Sequence, residues 1–179
     1  MNYNKVHEKM MRHVFLQTEL LINDDIYELS EYDIQSMIFT FFRSRLSKYG
    51  LLEATREQSG RTDIVVKRNS GSNVYIELKT YFKPNELFTG FHFTKDFEKL
   101  SKKITEEGAK DYFIIAGLKE KFNDKNAEQY EFIRSKRNLK RNHVIYRIPE
   151  TGQEIVLRPS QGQRRGRTHL WSWEVVAAK

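Results

Sequence analysis

Apolar residues recur along this chain at two spacings, and the switches between them mark its elements. Val6, Met10, Val14 and Leu21 fall near helical spacing with no breaker before Asn23-Asp24-Asp25, which predicts a helix over residues 4–22. A second helix opens at Ser30, which forms a capping-box pattern with Asp33, and Ile34, Met37, Ile38, Phe41, Phe42 and Leu46 keep one apolar face up to Gly50. The period then drops to two. Leu51 to Glu57, Arg61 to Arg68 and Val74 to Thr80 read as strands separated by Gln58-Ser59-Gly60 and by the run Asn69 to Asn73, an antiparallel meander. Phe97, Leu100 and Ile104 predict a helix from Thr94 to Glu107 that Gly108 ends. The continuous apolar run within Asp111 to Gly117 has the character of a buried central strand, and a charged helix from Asp124 to Asn138 and a strand from His143 to Ile148 follow. This order predicts an α/β fold, with a central mixed sheet flanked by helices.

Chemistry enters on the second hairpin. Alternation sends Val74, Ile76 and Leu78 to the core face and Tyr75, Glu77 and Lys79 to the other. A turn centred on Gly71 sets Asp63 opposite Lys79 and Val65 opposite Glu77, so Asp63, Glu77 and Lys79 share a face. Cross-strand partners lie about 5 Å apart and diagonal neighbours about 7 to 8 Å, so the two carboxylates can reach one cation. Hard oxygen ligands suit Mg²⁺, which keeps several waters and accepts phosphate oxygens. The lysine can orient such a water or balance developing charge. A plain surface ion pair between Lys79 and either acid is the competing reading.

Arg61-Thr-Asp63-Ile-Val-Val, thirteen residues between the two acids, and Ile-Glu77-Leu-Lys79, with a helix before and Lys95-Asp-Phe-Glu-Lys-Leu100 in a helix after, resemble the PD-(D/E)xK, or restriction-endonuclease-like, nuclease superfamily. The resemblance spans residues 31–117 and departs from the pattern at Thr62, where the family has proline. It implies a restriction-endonuclease-like core, with Asp63, Glu77 and the Leu78 carbonyl on Mg²⁺ (or Mn²⁺), and Lys79 assisting the water. Members also place an acid or a glutamine on the preceding helix. Glu31 and Gln35, four residues apart, are the candidates here, although Glu31 in a first helical turn also suits the macrodipole. The implied activity is Mg²⁺-dependent phosphodiester hydrolysis, with a DNA endonuclease favoured. A catalytically silent nucleic-acid-binding module, an RNA-directed nuclease and a protein binding an acidic partner are the rivals. Residues 1–179 are expected to form one domain, with a helical extension over 1–30, the catalytic core over 31–117 and a basic part over 118–179. A symmetric cut of both strands would need a homodimer.

Composition narrows the partners. The absence of cysteine excludes thiolate chemistry and leaves oxygen and imidazole as metal ligands, but the five histidines have no ligand spacing. No apolar run reaches bilayer-spanning length and the first residues lack a signal-peptide core, so a soluble cytoplasmic protein is expected. The net charge of +7 is uneven: residues 1–133 carry 20 basic against 21 acidic side chains, residues 134–179 carry 11 against 3. Arg134, Lys136, Arg137, Lys140, Arg141, Arg164, Arg165 and Arg167 are therefore phosphate-contact candidates, against the alternative of a solvated basic tail. Trp171 and Trp173 share one side of an extended segment and suit core cover better than base stacking. Replacing both Arg164 and Arg165 by Ala is expected to weaken binding to nucleic acid and to flatten its salt dependence in a titration series. An unchanged slope removes that assignment.

Overall fold

The computed structural model describes residues 3–23, 28–56, 63–83, 91–107, 110–123, 143–149, 151–163 and 166–178. Its architecture is α/β, a seven-stranded mixed sheet covered by helices on both faces. The strands are β1 (Leu51–Arg56), β2 (Ile64–Arg68), β3 (Val74–Tyr81), β4 (Lys110–Leu118), β5 (Val144–Arg147), β6 (Glu154–Gln163) and β7 (Thr168–Ala177). Their spatial order is β1-β2-β3-β4-β7-β6-β5, in which only β3 and β4 are parallel neighbours. A parallel pair needs a crossover, and α3 (Phe91–Glu107) provides it.

Two apolar layers result. Val74, Ile76 and Leu78 join Tyr112, Ile114 and Ala116 beneath α1 (Tyr3–Asn23) and α2 (Glu31–Arg43). Tyr75, Phe113, Ile115, Trp171 and Trp173 meet Phe93, Phe97 and Leu100 of α3 on the opposite face. The tryptophans thus cover the core. Helix α1 is fixed to the sheet by polar contacts as well. His7 Nε2 lies 2.8 Å from Ser172 Oγ and its ring stacks on Tyr112, and burial, followed by the charge of Lys110, lowers its pKa to about 3. Glu19 accepts from the Thr168 and Arg167 amides at 2.8 and 3.2 Å and from the Thr168 hydroxyl, tying the β6–β7 turn to α1.

The capping box at Ser30 and Asp33 forms as the sequence predicts. Helix α2 stops at Arg43, however, short of Gly50. The Ser44 hydroxyl bonds the Phe41 carbonyl, and a 3-10 turn over Ser47–Tyr49 packs Tyr49 on Phe41 before Gly50 turns out at φ +57°. The apolar spacing continues through Leu46 because this turn uses the same core. Strands β6 and β7 form the largest unanticipated pair. The Gly/Gln-rich stretch of β6 is extended because Gly162 accommodates the Trp171 ring: a Cβ at Gly162 would lie 2.0 Å from it. A short helix α4 (Lys119–Asn123) follows β4. The charged helix expected over residues 124–138 lies outside the described residues. Among the described residues no helix is long and apolar enough to cross a membrane.

Gly117 allows β3 and β4 to close at their carboxyl ends, since a Cβ there would sit 2.7 Å from the Tyr81 carbonyl oxygen. Gly117→Ala is expected to lower stability by about 1–3 kcal/mol, the usual cost of overpacking, as read from denaturant unfolding. Parental stability in this variant would mean that the two strands separate freely.

Candidate active site

The hairpin register differs by two from the expected one. Ile64 pairs with Ile76, Val65 with Tyr75 and Val66 with Val74, so Val65 does not face Glu77, and Asp63 continues the ladder toward Glu77 instead of Lys79. Lys67 and Arg68 pair with β1, where the register shifts between Leu51 and Glu53, and not with β3, so residues 67–73 connect Val66 to Val74, with Gly71 at φ +83°. A two-residue slip preserves the alternation of faces. Asp63, Glu77 and Lys79 therefore still lie on one side of the sheet, the side covered by α3. That face is buried, which the sequence pattern did not reveal: Glu77 is wholly inaccessible and Asp63 is 4% exposed.

The residues meet where β3 outruns β2. Asp63 Oδ2 accepts the Leu78 amide at 2.7 Å. In an extended strand the amide and carbonyl of one residue point the same way, so the Leu78 carbonyl looks out on the same edge. Lys79 Nζ stands 3.0 Å from Asp96 Oδ2 and 3.5 Å from Glu31 Oε2. Lys99 Nζ stands 3.6 Å from Glu77 Oε2 and 3.7 Å from Asp96 Oδ1. Glu31 thus reaches the site through Lys79, while Gln35 sits one helical turn further on, half-buried. Asp96 and Lys99 are the residues that the sequence reading missed. Only Asp96 left a signal: it is three residues from Phe93 and four from Leu100, a carboxylate set into the apolar stripe of α3.

Low solvation and like charge set the protonation of the acids. Burial, then Glu31, pushes Asp63 up to about 7, and burial, then Asp63, pushes Glu77 up to about 9. Glu31 is raised too, because burial outweighs the pull of Lys79. Burial opposes the charge on Lys79, but Asp96 and Glu31 outweigh it and raise its pKa. Both Glu77 oxygens are buried without a hydrogen-bond partner among the described residues. No group of three or more His, Asp or Glu among those residues is arranged to hold a metal ion, and Lys79 engages both Glu31 and Asp96.

A cleft of about 520 Å³ opens beside this cluster. Glu31, Lys79, Lys83, Lys95, Asp96 and Lys99 line it with backbone and side chains from the start of α2, the end of β3 and α3. Tyr81 lines it as well, although its side chain and that of Phe82 are packed in the core. Arg167 lies in the turn before β7, on the sheet edge to which β3 and β4 run. Its guanidinium reaches the Ile22 carbonyl at 3.5 Å. Arg134, Lys136, Arg137, Lys140, Arg141, Arg164 and Arg165 lie outside the described residues. Compared with protein-family models, with curated proteins and with solved structures, the chain matches none.

The raised carboxyl groups predict an inverted pH profile of stability. In the unfolded chain Asp63 and Glu77 release their protons near pH 4, whereas the folded protein holds them to about 7 and about 9. The native state binds more protons across that window, so metal-free stability is greatest below pH 4 from these two groups and declines as pH rises to 9. Thermal melting without divalent ions is expected to fall by several degrees from pH 5 to 9, and Asp63→Asn with Glu77→Gln to flatten the decline. A melting temperature that climbs through the window in the parent protein would contradict the burial of these charges.

Proposed function

We propose that this chain is a divalent-metal-dependent nuclease with a restriction-endonuclease-like core, hydrolysing phosphodiester bonds, most favourably as an endonuclease on DNA. The observation that carries the reading is Glu77: a carboxylate buried beside a second one, Asp63, with both oxygens unsatisfied by any hydrogen bond among the described residues. Leaving an acid so placed costs stability unless a ligand uses it. Two carboxylates with a backbone carbonyl fit Mg²⁺, which commonly takes one or two protein carboxylates and fills its remaining positions with water and phosphate oxygens. Asp63, Glu77 and the Leu78 carbonyl would hold it. When bound there, the ion would lower the pKa of a water and polarise the phosphate.

The chain's own residues divide the remaining work. Lys79 stays protonated, so it is a hydrogen-bond donor and positive charge facing the phosphate, and not the base that takes the proton of water. Glu31 and Asp96 hold its ammonium from two sides. Lys83 and Lys95 at the cleft wall provide charge for flanking phosphates. Water adds to phosphorus and releases a proton to solvent, the ester P–O bond breaks, and the departing oxygen takes up a proton from solvent. DNA is favoured through the resemblance alone.

A second reading is a module that binds nucleic acid without cutting it, favoured by the lysines that already occupy the carboxylates. Incubation with plasmid, linear and single-stranded DNA and with RNA separates the two. Cleavage is expected in Mg²⁺ or Mn²⁺ and not in chelator. Asp63→Asn and Glu77→Gln should reduce it to background, and Lys79→Met should slow it about 100-fold or more, the loss seen when one preorganised charge is removed. Binding that survives without cleavage under every condition favours the silent module. Cleavage of parental rate in all three variants would place the chemistry elsewhere.

A further inference from the structure

The same cluster holds a second lysine that the hydrolytic reading does not use. Lys99 comes from α3, a turn beyond Asp96, and approaches Glu77 from the face opposite the body of the sheet's α1–α2 layer. We propose that Lys99 is the resident counterion of Glu77, standing where a divalent cation acts, and that it withdraws toward Asp96 when the cation enters. This rests on reading Asp63 and Glu77 as metal ligands.

Three observations carry it. The first is distance: at 3.6 Å from Glu77 Oε2, Lys99 is beyond the 2.7–2.9 Å of a strong charge-assisted hydrogen bond, so it faces Glu77 without locking it. The second is asymmetry of burial. Glu77 is fixed in the interior, whereas the Lys99 side chain is 37% exposed and has a flexible four-carbon stem with water at its back. Asp96 Oδ1, one helical turn away at 3.7 Å, is already within reach as the partner it keeps. The third is charge. Lys79 is held by Glu31 and Asp96, so Lys99 is the ammonium that stands against Glu77 and the positive charge that a cation on Asp63 and Glu77 would meet. Lys99 thereby sets the affinity of the site, because its charge repels the ion and its pairing with Glu77 must be given up.

Titration of the folded protein with Mn²⁺ by calorimetry tests the role directly, with thermal melting as a second readout. Lys99→Met keeps the stem and removes the charge. It is expected to bind Mn²⁺ about tenfold more tightly, the effect of deleting one like charge near the ion, and to melt below the parent without metal but level with it in saturating Mn²⁺. Lys99→Arg restores the charge and should return the affinity to that of the parent. Lys102→Met makes the same charge change on the exposed side of α3, where Lys102 pairs with Glu98, and should leave affinity unchanged. Equal or weaker binding by Lys99→Met, or equal tightening by Lys102→Met, overturns the counterion role. Failure of the parent to bind Mn²⁺, or unaltered binding by Glu77→Gln, overturns the metal site itself and the counterion with it. Loss of binding in Glu77→Gln alongside parental affinity in Lys99→Met removes Lys99 alone.

Discussion

Covering the sheet on both faces is the constraint from which the rest of this structure follows. Strand β3 lies near the middle of seven strands, with α1 and α2 over one face and α3 over the other. A strand in that position normally carries apolar residues throughout. Here it carries Glu77 and Lys79 on the α3 side. Once α3 lies over them, no acid or base on that face can rely on bulk water, and each must find a partner or a proton.

The partners come from α3 and α2, and their geometry accounts for the electrostatics. Asp96 enters the apolar stripe of α3 at the point that meets Lys79, and Lys99 follows one turn later to meet Glu77. Glu31 reaches Lys79 from the first turn of α2, whose start is held by the reciprocal bonds of Ser30 and Asp33. Because burial strips them of water and a neighbouring acid adds like charge, Asp63 and Glu77 retain protons well above the ordinary carboxylate range. Such an enclosure disfavours the charged state of the two acids.

The supports lie further out. Gly117 lets β3 and β4 approach at the end where the cleft opens, and Glu19 fastens the β6–β7 turn to α1 at that same end of the sheet. Buried His7, neutral and stacked on Tyr112, fixes the other part of α1 to β7. These contacts bring no chemistry of their own. They hold the strand ends, and so the spacing of the groups in the cleft.

Local pattern in the sequence was enough to determined elements set by near neighbours: the capping box at Ser30, the meander from Leu51 to Thr80, the buried strand after Asp111, and the shared side of Asp63, Glu77 and Lys79. The last held despite a register slip because side-chain direction in a strand depends only on parity. The register itself was not legible, since it depends on where β1 bulges and how Lys67 and Arg68 pair. Nor was the pairing of β6 with β7, which needs the Trp171 ring to find Gly162 across the ladder. The contacts of Asp96 with Lys79 and of Lys99 with Glu77, and the burial that shifts the carboxyl groups, were decided by tertiary structure alone. Both depend on α3 folding back over a strand about twenty residues earlier in the chain, and sequence spacing holds no record of a contact made across that distance.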